Sequence, residues 1–278
     1  MNNKKRPLFV FAGQSNMMGA PVYEASEQIY FKNSFEYLHK KRRFGFDTGE
    51  FRQVGFPCGE FSYKDLKAAY GEDYNADSKS TLATFSENTF FAPSMSNLDD
   101  EKSKTVFPFA HFSEANSRKA PALPPYIVKG LEDNGFACAY THIAKGSAPI
   151  SYYLEGEAKE YFYLKVRDFF ADSEKCFSGD DTSERVFVWL QGESDRMRGF
   201  DYYYEALFQL WSDLKKAGFT KFFMIRVPYW NGDEISEIMR AEEEFCKQCD
   251  DAYMITRVCS FIPWCGQNID EWFDGKLE

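Results

Sequence analysis

Apolar positions along the chain follow two rhythms. Short unbroken apolar runs recur, and between them apolar residues return every three or four positions. The first run is Leu8-Phe9-Val10-Phe11-Ala12. Residues 136–143 read as a second strand, and Val186-Phe187-Val188-Trp189-Leu190 as a third. Residues 221–227, stopped by Pro228, and 252–258 read as a fourth and a fifth. A continuous run such as 186–190 suits a strand buried on both faces of a parallel sheet. Residues 157–174 predict a helix, with Phe162, Val166, Phe169 and Phe170 on one side. Residues 201–217 give the clearest one: Leu207, Leu210, Trp211 and Leu214 sit at i, i+3, i+4 and i+7, and Gly218 can end it. A third spans 233–249, with Ile235, Ile238, Met239 and Cys246 together. Upstream, Pro124-Pro125 opens a helix that ends near Gly135. Strands alternating with helices predict an α/β protein whose parallel sheet is covered on both faces.

Residues 21–120 break this rhythm. The pattern predicts a helix at about 24–43, closing on His39-Lys40-Lys41-Arg42-Arg43. The remainder mixes Gly, Asn, Ser and Asp with Phe and Tyr. Such a segment is either a packed surface elaboration or one wall of a substrate cleft.

Composition narrows the possible partners. Aromatic residues make up 18% of the 278, far too many for a disordered protein. The net charge of −10 makes the protein a poor partner for nucleic acid. No apolar run approaches the ~18–20 residues of a membrane span. The basic start before Leu8 imitates a signal peptide, but the apolar run is too short and Gln14-Ser15-Asn16 interrupts it. Seven cysteines, an odd number, then argue for reduced thiols and a cytoplasmic protein. Cys246 and Cys249 form a C-x-x-C, but Cys259 and Cys265 lack the paired spacing of a zinc knuckle. The first pair also fits the inner face of a helix.

Three short motifs follow predicted strands directly. Gly13-Gln14-Ser15-Asn16-Met17-Met18-Gly19 follows the first. Gly13 permits a sharp turn, and Ser15 can present its hydroxyl at the carboxyl edge of the sheet, where open α/β sheets bind ligands. Ser15 could equally be an ordinary helix N-cap. Ala144-Lys145-Gly146-Ser147-Ala148-Pro149-Ile150 follows the second strand, and Gly146 allows a backbone N–H to approach a ligand closely. On its own it is an ordinary Gly-Ser turn. Trp189-Leu190-Gln191-Gly192-Glu193-Ser194-Asp195 ends the third. Gln191 can aim an amide N–H at an oxyanion, while Glu193 and Asp195 can orient neighbouring loops or cap the next turn.

Together these motifs resemble the SGNH (GDSL-like) hydrolase superfamily, and within it the sialate O-acetylesterase and carbohydrate esterase family six branch. Gly13-Gln14-Ser15-Asn16-Met17 is similar to the first block of that branch, and 189–195 to its third. Residues 144–150 match the second block more loosely. The resemblance implies a flavodoxin-like three-layer α/β/α sandwich. Its five-stranded parallel sheet would carry a long insertion, residues 21–120, after the first strand. It implies Ser15 as nucleophile, and an oxyanion hole made by the Ser15 N–H, the Gly146 N–H and the Gln191 side chain. It implies no metal or organic cofactor. The substrate would be a small-molecule or oligosaccharide acetyl ester, from sialic acid or another acetylated sugar.

One block departs from the pattern. The branch carries a D-x-x-H near its C-terminus, which supplies the base a serine needs. Here Asp270 is followed three residues later by Phe273, and Asp274 by Leu277. The three histidines are His39, His111 and His142, all before the last predicted strand. Three explanations compete: a sequence that is incomplete at its C-terminus, which is the expectation; a substitute histidine, His111 or His142; or a binding domain without catalysis. An O-acyltransferase would use the same serine chemistry on a sugar hydroxyl instead of water.

Overall fold

The computed structural model describes residues 4–14, 17, 29–38, 49–55, 123–144, 148–227 and 236–258. Its strands are β1 (Lys4–Lys5), β2 (Leu8–Gly13), β3 (Ile29–Tyr30), β4 (Phe35–Leu38), β5 (Glu50–Arg52), β6 (Val54–Gly55), β7 (Ala139–Ala144), β8 (Asp180–Asp181), β9 (Arg185–Leu190), β10 (Lys221–Ile225) and β11 (Ala252–Thr256). The helices are α1 (Leu123–Asp133), α2 (Gly156–Cys176), α3 (Phe200–Lys216) and α4 (Ser236–Gln248). None of the described helices is long and apolar enough to cross a membrane.

All five predicted strands are present and adjacent. They are β2, β7, β9, β10 and β11, and the main sheet runs β11-β10-β9-β2-β7-β4-β5. Every neighbouring pair is parallel except β4 with β5. Numbered by their own succession, the five follow the order 2-1-3-4-5 of flavodoxin-like sheets. Only the start of β7 differs noticeably from expectation. The turn at Gly135 leads past an exposed Phe136, and pairing begins at Ala139.

The layers follow from side-chain alternation along the strands. Phe187 and Phe222 point to one face, where Phe162 of α2, Trp211 of α3 and Phe245 of α4 pack edge-on against them. Phe11 and Tyr140 point to the other face, and Phe31 packs edge-on against Tyr140. The crossover through α1 from β2 to β7 runs opposite to the three later ones. A right-handed connection therefore puts α1 on the second face. The result is the three-layer α/β/α arrangement. The apolar stripes read from the sequence are the buried ones: Phe162, Val166, Phe169 and Phe170 on α2, and Leu207, Leu210, Trp211 and Leu214 on α3. Gly218 ends α3, donating its N–H to Lys215 O, while Phe219 donates to Leu214 O.

The helix expected over 24–43 is not what residues 29–38 form. They make β3 and β4, and β4 joins the main sheet beside β7. Tertiary contacts explain the difference. Glu132, in the last turn of α1, accepts the backbone N–H groups of Lys32, Asn33 and Ser34 at 2.7–2.8 Å. The buried Arg6 guanidinium binds Asp180 and the Asn33 carbonyl. The Tyr37 ring packs against Phe51 and Phe169, and its hydroxyl donates to Asp172 at 2.7 Å. Helical spacing over 24–43 carries no information about these partners, which come from other parts of the fold. The sheet thus has seven strands rather than five, two of them from the long insertion.

Candidate active site

Parallel pairing brings the three motif-bearing strand ends level. β2 is flanked by β7 and β9, with Gly13 opposite Ala144 on one side and Leu190 on the other. The three strands therefore end at Gly13, Ala144 and Leu190 along one edge. The crevice between β2 and β9 is the switch point where strand order reverses, the usual ligand position in this topology. Ser15 and Gly146 lie outside the described residues. Gln191 is described and fully buried.

Gly13 shows why the first turn takes this form. A Cβ there would lie 1.9 Å from the Leu190 carbonyl oxygen, and φ is +145°. Gly192 is similarly confined on the other strand end, with an added Cβ 2.8 Å from Ile238 Cγ2 and φ at +156°. Both turns hug the sheet because neither carries a side chain.

Buried polar groups tie the three ends together. Gln191 Nε2 donates toward Asp195 Oδ2 at 2.7 Å, the Ala148 carbonyl at 3.0 Å and Gln14 Oε1 at 3.2 Å. Gln191 Oε1 accepts the Tyr203 hydroxyl at 2.9 Å, and the same hydroxyl reaches the Gln191 carbonyl at 2.6 Å. Asp195 Oδ2 also accepts the Ile150 N–H at 2.7 Å. Gln14 Oε1 accepts the Ser194 N–H at 3.2 Å. The Tyr153 hydroxyl accepts the Gly13 N–H and donates to the Gly13 carbonyl. Of the two roles open to Asp195, orienting a neighbouring loop is the one realised, because its carboxylate holds the end of the second motif at Ile150.

Burial dominates the electrostatics here. It raises the Asp195 carboxyl, although hydrogen bonds from Gln191 and Ile150 and the charge of Arg198 work the other way. It also raises Glu242 on α4 well above its usual range, opposed by the Val227 N–H and reinforced by the charge of Glu193. His142, on β7, is pushed down to about 3 by burial and is hydrogen-bonded to the backbone at Met17. It is a neutral strand histidine in the fold, which is its ordinary reading. His39 and His111 lie outside the described residues, as do Cys259 and Cys265. Cys246 lies on α4 against the core, where burial pushes its thiol up to about 12. A groove of about 980 Å³ runs along α2 to Arg185 and Glu174. Arg185 begins β9, so the groove lies toward the opposite end of the sheet.

Tyr153, Tyr203 and Gln14 were not singled out by sequence reasoning. Tyrosines in helices read as packing residues, and only the fold shows where their hydroxyls point. Gln14 had one available signal, its place directly before Ser15.

No protein-family profile matches the sequence, and no curated protein does. Among solved structures, the protein is similar to one from Arabidopsis thaliana, at 12% identity and a TM-score of 0.45 over 90% of this chain and 84% of that one. It is also similar to NanS, at 10% identity and a TM-score of 0.44 over 92% of this chain and 80% of that one.

Proposed function

We propose that the protein is a serine esterase that removes O-acetyl groups from a carbohydrate through an acyl-enzyme. One observation carries the reading. The register of β7, β2 and β9 makes the strands that precede Gly146, Ser15 and Gln191 immediate neighbours ending at one level. Motifs separated by about 130 and about 45 positions in the sequence are thereby candidates for a single site.

In this mechanism Ser15 Oγ attacks the acetyl carbonyl carbon, and a general base takes its proton and passes it to the departing sugar oxygen. The carbonyl oxygen becomes an alkoxide, which the Ser15 and Gly146 N–H groups and the Gln191 amide would stabilise. The bond to the sugar oxygen breaks, the sugar leaves as its hydroxyl, and Ser15 carries the acetyl group. Water then releases acetate. Each donor to such an oxyanion is typically worth ~10²–10³ in rate. A cytoplasmic setting goes with this reading, since Cys138, Cys176, Cys246 and Cys249 are free thiols, as a reducing compartment keeps them.

A second reading, a carbohydrate-binding domain without turnover, is favoured by His142, which burial keeps neutral and which is bonded to the backbone at Met17. Acetate release from O-acetylated sialic acid and from acetylated xylose decides between them. The esterase reading expects turnover by the wild type, a fall of ~10³-fold or more in Ser15→Ala, and an acetyl adduct on the peptide containing Ser15. Equal turnover by Ser15→Ala would overturn the mechanism. Binding of the acetylated sugar with no acetate released would establish the second reading.

A further inference from the structure

The Gln191 amide has two protons and three acceptors within 3.2 Å. The shortest contact, 2.7 Å, is to a carboxylate, and charge-assisted bonds of this kind are roughly twice as strong as neutral ones. One amide proton is therefore held by Asp195. Exchanging the amide's nitrogen and oxygen would set two oxygens, Asp195 Oδ2 and Gln191 Oε1, against each other, and the single Tyr203 hydroxyl proton, shared between the Gln191 carbonyl at 2.6 Å and Oε1 at 2.9 Å, lies on the Oε1 side. With one amide proton held by Asp195 and the Oε1 side facing the Tyr203 hydroxyl, the acceptors left to the second proton are Ala148 O and Gln14 Oε1. Gln14 directly precedes Ser15, and Ala148 lies two residues beyond Gly146.

We propose that Asp195 and Tyr203 are positioning residues that fix the Gln191 amide so that its second proton faces the strand ends leading to Ser15 and Gly146. This rests on the esterase reading, in which that proton is shared between Ala148 and Gln14 at rest and passes to the oxyanion in the transition state. An alkoxide outcompetes two neutral carbonyls at 3.0 and 3.2 Å for the same proton. Asp195 has a second task that sharpens the geometry. The oxygen that holds the amide also binds the Ile150 N–H, so one atom sets the spacing between the third motif and the end of the second. Its other oxygen, Oδ1, has no hydrogen-bond partner among the described residues, so Asn in place of Asp195 can keep its carbonyl at the working position.

The test is a double-mutant cycle on kcat and KM for an acetyl ester, combined with side-chain amide resonances of the ¹⁵N-labelled protein. Asp195→Ala should lower kcat by ~10-fold to 10²-fold, with KM changed less than about threefold because the interaction belongs to the transition state. Asp195→Asn should recover most of that loss. The double variant with Gln191→Ala should be no slower than Gln191→Ala alone, because residues acting through one another are non-additive. In the wild type, the Gln191 side-chain pair, identified by its loss in Gln191→Ala, should have one proton shifted downfield and slow to exchange. Tyr203→Phe should weaken that shift. Multiplicative losses in the double variant would overturn the proposal, as would a Gln191 pair at ordinary positions exchanging freely with water. If the wild type turns over no ester, or Ser15→Ala turns it over equally, the esterase reading fails and the catalytic consequence with it. The resonances still decide whether Asp195 and Tyr203 hold the amide, and they do so even where Asp195→Ala does not fold, since Asp195→Asn and Tyr203→Phe carry the same comparison.

Discussion

Gly13 has no room for a side chain, with the Leu190 carbonyl where its Cβ would be. Gly13→Ala must push β2 and β9 apart at the edge that carries the proposed site. We expect a loss above about 4 kcal/mol, seen as a collapse of soluble folded yield or a large fall in the urea midpoint. Tyr153 presents a milder case on the same residue. Its hydroxyl serves both the N–H and the carbonyl of Gly13, while its ring packs against Phe162 and Trp189. Tyr153→Phe keeps the ring and orphans two buried backbone groups, so about 1–3 kcal/mol should be lost. A stability change within a few tenths of a kcal/mol would mean that these backbone groups find other partners.

At the scale of the element, α4 shows what a hydrophobic stripe can conceal. Ile238, Met239 and Phe245 are buried as an amphipathic helix requires, and Glu242 is fully buried among them. Its Oε2 accepts the Val227 N–H at 3.0 Å, so the carboxyl anchors the end of β10 to α4. Burial raises this carboxyl well above its usual range. Glu193 and Tyr203 face it, Arg226 and Glu243 flank it, and Cys246 lies one turn on. The folded protein therefore keeps a proton that the unfolded one has released. Stability from this group is complete below the ordinary glutamate range and declines as pH rises above it. Glu242→Gln should flatten that decline above the ordinary glutamate range in urea titrations, while retaining a carbonyl for Val227. An unchanged pH slope would show that Glu242 is ionised in the fold.

At the scale of the whole molecule, the insertion strand β4 and the residues just before it are held by distant segments, notably Glu132, Arg6 and, through the Tyr37 hydroxyl, Asp172. Burial of the Glu132 carboxyl works to raise it, but three backbone N–H bonds outweigh that and hold it below its usual value. This tie is therefore present above the ordinary carboxylate range and is lost as pH falls through it. Glu132→Ala should speed amide hydrogen exchange across residues 29–38 and leave the protection of α3 intact. Equal protection across 29–38 would show that pairing with β7 alone holds the strand. If the acceleration extended to α3, β4 would belong to the same cooperative unit as the core.

The alternation of apolar runs with helical stripes was enough to define the five central strands, three of the helix faces and the α/β class. These depend on local periodicity, and burial of one face or both leaves that periodicity in the sequence. The three motifs could also be read, because each directly follows a strand. Strand order, the register that levels Gly13 with Ala144 and Leu190, and the conversion of 29–38 from expected helix to strand were decided only by the tertiary structure. So was the buried network in which Asp195 and Tyr203 fix Gln191. In each case the deciding partner lies tens of residues or more away, or on another element. A hydrogen bond between Arg6 and Asp180, or a ring contact between Tyr37 and Phe169, leaves no periodic trace in either segment. Local pattern records which way a residue faces, and only the fold determines what it meets there.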